Sequence, residues 1–174
     1  MTQETTLEVM VLVKAATWGL EILEYALHHI CGRVHMEVQL HPLFKSWLNE
    51  LADDLEVLVE VMALINALEK HGRDLGDPES HPVSTASYDL HALRRFPPTE
   101  TTPYAEGPPV LRILFGYVQD NSGNELAVVT LGGDKTELGN RWYQANVTQA
   151  QDRLDQWCQH NPTYKPIVKR GGLR

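Results

Sequence analysis

Residues 110–131 read VLRILFGYVQDNSGNELAVVTL. Two apolar runs rich in Val, Ile, Leu and aromatic residues flank Asp120-Asn121-Ser122-Gly123-Asn124, a cluster of turn formers. That arrangement predicts a β-hairpin. Successive strand side chains point to opposite faces. Leu111, Ile113, Phe115 and Tyr117 therefore share one face and suit a core under helices. Val110, Arg112, Leu114, Gly116 and Val118 share the other, which this reading leaves open. A guanidinium in the middle of such a strand asks for a reason. An ion pair or a plainly exposed position would supply one, and so would a ligand.

Working outward, the second strand runs into LGGDKTELGNRWY (131–143), a glycine-rich loop carrying Lys135, Arg141, Trp142 and Tyr143. TQAQDRLDQWCQH (148–160) then reads as a final helix with Thr148 as its N-cap and Leu154, Trp157 and Cys158 inward. From Pro162 the chain reads as a basic, mobile tail. On the upstream side, YDLHALRRF (88–96) reads as a further strand and PPTETTPYAEGPP (97–109) as a proline-rich loop within the domain. Residues 73–87 read as loop.

Earlier still, MEVQL (36–40) alternates as a strand and His41-Pro42 opens a helix with Pro42 at its first position. Leu43, Phe44, Trp47, Leu48 and Leu51 mark one face of that helix. Asp53 and Asp54 break it, and DLEVLVEVMALINALEKHG follows as an antiparallel partner ended by Gly72. Residues 7–31 are also periodic, through Leu12, Ala16, Leu20, Leu23, Leu27 and Ile30, with Gly32 as a stop. This segment reads either as a helix packed on the domain or a partner, or as upstream sequence preceding a functional start at Met36. The order predicts an α+β fold: a small antiparallel sheet, two antiparallel helices before it, a C-terminal helix after it, and an extra N-terminal helix. The domains are 1–33, a helical extension; 34–161, the main domain; and 162–174, the basic tail.

The totals fit one globular domain with an appendage: 174 residues, 43% apolar and 22% charged. The net charge of −8 argues against non-specific nucleic-acid binding. The charge is uneven, however: residues 1–87 hold 5 Lys and Arg against 14 Asp and Glu, whereas residues 88–174 hold 10 against 9. A local basic site thus belongs in the second half. Two cysteines without metal or disulfide spacing suit a reduced, cytoplasmic setting. The apolar run 10–30 contains Lys14, Glu21 and Glu24, which excludes it as a membrane span. The eight histidines show no metal-ligand spacing, and no phosphate-binding glycine fingerprint or nucleophile elbow is present.

Three stretches together resemble the RelE/HigB group of type II toxin–antitoxin toxins. MEVQLHPLFKSWLNELADD resembles the opening strand and first helix, and LHALRRF followed by VLRILFGYV resembles the middle strands. TLGGDKTELGNRWYQANVTQAQDRLDQ resembles the Gly-Asp-Lys…Arg-Trp-Tyr form of a HigB-like subgroup. The resemblance spans about residues 34–161. It implies a RelE-like fold and ribosome-dependent endonuclease activity on mRNA, with no cofactor and no metal. It implies as partners the ribosome, mRNA and a cognate antitoxin of helix-turn-helix type.

The chemistry implied is attack of a ribose 2′-hydroxyl on the adjacent phosphate, with cations stabilising the phosphorane. Arg112 suits the phosphate because its planar fork bonds two oxygens. Lys135 without the resemblance reads as a solvated turn lysine; with it, as a phosphate cation or a base of lowered pKa. Arg141 and Tyr143 complete the expected catalytic set, and Arg94, Arg95 and Trp142 the RNA-binding set. In competition, Trp142 reads as a packing anchor and one of Arg94 and Arg95 as a surface charge. His91 is a candidate acid–base group, since imidazole titrates near neutrality. Two other functions stay open at this point: a non-catalytic poison of DNA gyrase, like ParE, and an inactive relative that binds an antitoxin. Residues 36–174 alone are expected to be at least as toxic as the whole chain.

Overall fold

A computed structural model describes residues 36–94 and 110–169 of the chain. The predicted helix over 7–31, the 1–33 extension and Arg95 lie outside the described residues. In chain order the elements are β1 (Val38–Leu40), α1 (Pro42–Glu50), α2 (Leu55–His71), β2 (Ser80–Pro82), β3 (Leu90–Arg94), β4 (Leu111–Asp120), β5 (Glu125–Asp134), α3 (Arg141–His160) and β6 (Tyr164–Pro166). The fold is α+β, with three α-helices among the described residues.

Local chemistry accounts for the helix ends. Pro42 occupies the first turn of α1, and the His41 ring Nδ1 accepts the Leu43 N–H at 3.2 Å. Asp54 caps α2 by accepting the Val57 N–H at 3.2 Å. Gly72 ends α2 with φ +53°, a conformation that glycine adopts without strain, and its N–H reaches Leu68 O. The α1–α2 pair lays Phe44, Leu48, Leu58, Met62, Ile65 and Leu68 onto the face of the sheet formed by Leu93, Ile113, Phe115 and Tyr117. Each such fully buried side chain contributes roughly 1.5–3 kcal/mol. Leu43, placed on the apolar face of α1 by periodicity, instead stands about half exposed.

The sheet order is β1-β5-β4-β3-β2, with β6 pairing β4 beyond the end of β3. Four expectations need correction. The sheet is mixed, because β1 runs parallel to β5, with Val38 beside Ala127. Residues 80–82, read as loop, pair with β3 as an edge strand, and the Ser80-His81-Pro82 composition hid it. The tail after Pro162 is held in place as far as Lys169: β6 pairs β4, the Lys169 ammonium donates to Val83 O at 3.1 Å, and Asp89 N–H donates to Ile167 O at 2.7 Å. Finally, the last helix starts seven residues early, so Arg141 and Tyr143 lie in its first turn and Thr148 within it.

That early start also closes the face taken as open. Trp142, Val147, Ala150 and Leu154 of α3 bury Leu114, Leu131, Val118 and Val128. The sheet is therefore covered on both sides, α1 and α2 on one and α3 on the other. A β-bulge makes this possible. Val129 pairs Phe115 and Leu131 pairs Leu114, which leaves Thr130 as the extra residue. The Thr130 hydroxyl donates to Leu114 O at 3.1 Å, and the Arg153 guanidinium donates to Thr130 O at 2.8 Å. Beyond the bulge the alternation of β5 is inverted, so Leu131 sides with α3 whereas Val129 sides with α1 and α2.

Candidate functional site

The row Arg94–Arg112–Gly133 crosses the sheet, and Trp142 at the start of α3 covers it only at Gly133. Two arginines directly opposite on neighbouring strands repel each other, so the pairing weakens the sheet unless something offsets it. Arg94 has its offset. Its guanidinium donates to Asp77 Oδ1 and, through Nε at 2.7 Å, to Pro78 O. Arg112 has no such offset among the described residues. It is 7% exposed, and its hydrogen bonds to described residues go to neutral groups: Nη1 to Leu111 O at 2.7 Å and Nε to the Tyr143 hydroxyl at 3.1 Å.

Lys135 approaches the same place from the loop after β5. Asp134 Oδ1 accepts from Val110 N at 3.0 Å, from Thr136 N at 2.8 Å and from the Thr136 hydroxyl at 2.5 Å. Lys135 N in turn donates to Val110 O at 3.0 Å. These bonds clip the loop to the start of β4 and aim the lysine inward, where its ammonium lies 5.9 Å from the centre of the Tyr143 ring. Burial, then the Arg112 charge, then the Arg94 charge hold the Lys135 pKa below its usual value. Among the described residues, no carboxylate pairs with Arg112 or Lys135.

These groups line one open cleft of about 420 Å³, together with β2 and the first turn of α3. Arg112, Lys135 and Tyr143, expected as catalytic, and Arg94, expected to bind RNA, line it together. Three other expected members do not. Arg141 is exposed and lies outside the cleft lining, because two positions along a helix turn a side chain about 200° from Tyr143. Trp142 is buried, with only 4% exposed, and its indole covers Gly133, so it offers no free face to a base. His91 pairs in register with Phe115 and thus faces α1 and α2, on the side of the sheet away from Arg112. There its ring packs on Phe115 and Tyr117 at 5.5 and 5.3 Å and meets Asp89 at 3.0 Å, with burial lowering its pKa. Arg73 completes that structural cluster: it stacks 3.5 Å above the Tyr117 ring and pairs with Asp89 and Glu125.

Two further chemistries have no support here. The Cys158 thiol is buried and pushed up to about 11, so it stays protonated near neutral pH. Among the described residues, no three His, Cys, Asp or Glu side chains are grouped to hold a metal ion. What remains is a cationic recess that favours a dianionic or polyanionic ligand.

A relative from Mycobacterium tuberculosis named "Putative toxin HigB3" is 30% identical over 122 residues, which cover 70% of this chain and 93% of that protein. The chain belongs to the HigB toxin family. No family model matches this HigB-family chain, and no solved structure does. None of its described helices is long and apolar enough to cross a membrane.

The cleft of this HigB-family protein also contains residues that the sequence did not single out. His81 enters from β2, and Asn140 and Gln144 from the start of α3. Asn140 stands at the N-cap of α3 yet makes no capping bond with its side chain. The signal for His81 was weak, because Ser80-His81-Pro82 sits among turn formers and shows no strand alternation. Its position became readable only with the β2–β3 register.

Proposed function

We propose that this protein is the toxin of a toxin–antitoxin pair and that it stops translation by cleaving mRNA on the ribosome. Membership of the HigB family supports the toxin role. The observation that carries the nuclease reading is a pair of cations with no carboxylate partner among the described residues, one of them buried, meeting in an open cleft beside a tyrosine hydroxyl. A fold that served stability alone would gain nothing from a buried arginine opposite another arginine.

In this reading the scissile phosphate lies against Arg112, whose planar fork binds two non-bridging oxygens. The 2′-oxygen attacks phosphorus, the P–O5′ bond breaks, and Arg112 and Lys135 stabilise the added negative charge of the phosphorane. Tyr143 holds Arg112 in the required orientation through its 3.1 Å hydrogen bond. The products are a 2′,3′-cyclic phosphate and a free 5′-hydroxyl. A cognate antitoxin, of helix-turn-helix type, neutralises the toxin.

The test is induced expression in a bacterial host, followed by mapping of mRNA ends and assay with purified ribosomes. The wild type should arrest growth and cut ribosome-bound mRNA, and Arg112→Ala and Lys135→Ala should each lose at least about 100-fold in cleavage. Undiminished toxicity in both variants would refute the site. A fall in DNA synthesis before any fall in protein synthesis would point instead to a gyrase poison.

A further inference from the structure

We propose that His81 is the proton-transfer group of this cleft, held in place by Asp77 and Arg94; the inference rests on the nuclease reading above. The sheet register supplies the first argument. His81 pairs with Ala92, and Ala92 lies in a row with Leu114 on the face that carries Arg94 and Arg112. Directly opposed residues of antiparallel strands share a face. The imidazole therefore projects on the side of the two arginines, one row from them, and the small Ala92 side chain leaves it room. His81 and Lys135 line the same cleft.

The hydrogen bonds supply the second argument. His81 Nδ1 lies 3.2 Å from both carboxylate oxygens of Asp77. An ionised carboxylate only accepts, so Nδ1 carries the proton, and the neutral ring keeps its lone pair on Nε2. Asp77 stays ionised: the His81 hydrogen bond is the main cause of its lowered pKa, and the Arg94 charge adds to it. Arg94 grips the same turn by three bonds, to Asp77 Oδ1, to Pro78 O and, through its backbone N–H, to Glu79 O at 2.8 Å. The order Arg94–Asp77–His81 thus orients a base and selects its tautomer, as paired acidic residues do for other catalytic imidazoles. An exposed His–Asp pair on an edge strand adds little to stability, so its alignment toward the cleft asks for another role.

The step balances as follows. Nε2 of His81 takes the proton of the 2′-hydroxyl while the O2′–P bond forms. The P–O5′ bond breaks, and the departing 5′-oxygen takes a proton from the Lys135 ammonium. Solvent then returns the proton from the imidazolium to the lysine. Asp77 and Arg94 are positioning residues in this scheme, and Arg112 transfers no proton.

Ribosome-dependent cleavage should be followed across pH for the wild type, His81→Gln and Asp77→Asn, with thermal melting as a check on folding. Among the described residues, the ionisable groups that bond the ring or share its cleft are Asp77, Arg94, Arg112, Lys135 and Tyr143, so Arg112→Ala is run as a further reference. For His81→Gln, kcat should fall at least about 100-fold with KM within threefold, and the acid limb of the kcat profile should vanish. Asp77→Asn should lose about tenfold in kcat and keep that limb. Retention of kcat within threefold by His81→Gln, or a loss carried by KM alone, would overturn the proposal. If Arg112→Ala is inactive in that case, the nuclease reading stands without it. A wild type that cuts no RNA would remove both.

Discussion

The bond between Arg112 and Tyr143 gives the sharpest quantitative test of the site. Arg112 is 7% exposed, and its Nε has the Tyr143 hydroxyl as acceptor at 3.1 Å. Tyr143→Phe removes that acceptor and nothing else of similar size. A hydrogen bond to a charged group nets about 1.5–3 kcal/mol, and leaving a charged donor unpaired costs at least as much. Water can enter from the cleft side and recover part of this, so the lower figure applies, about 1.5 kcal/mol. The same energy counts toward orientation. If Arg112 stabilises the transition state only when held by Tyr143, kcat/KM falls by 10-fold or more. A double-mutant cycle of wild type, Tyr143→Phe, Arg112→Ala and the double variant separates this from a direct role for the tyrosine. Urea unfolding and ribosome-dependent cleavage would be measured on all four proteins. The coupling should be about 1.5 kcal/mol in both assays, with Tyr143→Phe nearly silent once Arg112 is gone. Additivity within about 0.5 kcal/mol in both would refute the reasoning.

Two further outcomes follow from the fold. Glu69 is 8% exposed, its Oε2 has no hydrogen-bond partner, and burial pushes its pKa up to about 7 from 4.5. The folded carboxyl holds its proton more tightly than the unfolded one, so stability is greatest below about pH 4.5 for this group and declines as pH rises to about 7. At 1.36 kcal/mol per unit the loss is at most about 3.4 kcal/mol, and less with solvent screening. Glu69→Gln should be more stable than the wild type at pH 8 and no more stable at pH 4.5, by urea unfolding; equal pH dependence of the two proteins would exclude the effect. Gly132 supports the Trp47 ring so closely that an added Cβ would sit 2.2 Å from it. Gly132→Ala should cost about 1–3 kcal/mol and alter Trp47 fluorescence, and Trp47→Leu in the same chain should restore most of the loss. An unchanged melting temperature for the single variant would contradict the packing.

Local sequence chemistry was enough for much of the framework. The Asp120–Asn124 turn, the Pro42 start of α1, the break at Asp53 and Asp54 and the Gly72 stop each depend on a few neighbouring residues, and each stands where it was read. The apolar alternation of β4 likewise separated Arg112 from the side buried by α1 and α2. The candidate cleft was legible only in part. Arg94, Arg112, Lys135 and Tyr143 gather there, but Arg141, Trp142 and His91 fall away because helix phase and strand register decide direction, and neither can be fixed by composition. An exposed polar edge strand shows no apolar period, and for that reason β2 and His81 went unread.

By itself, then, the sequence determined the hairpin, the helix pair, the uneven charge and the family resemblance, all of which rest on contacts between near neighbours or on motif order. Tertiary structure decided the parallel pairing of β1, the inversion of β5 at the Thr130 bulge, the docking of α3 over the second face and the company that each cation keeps. Those depend on which distant segments are brought within bonding distance, and a pairwise energy between residues far apart in the chain leaves no periodic trace in it.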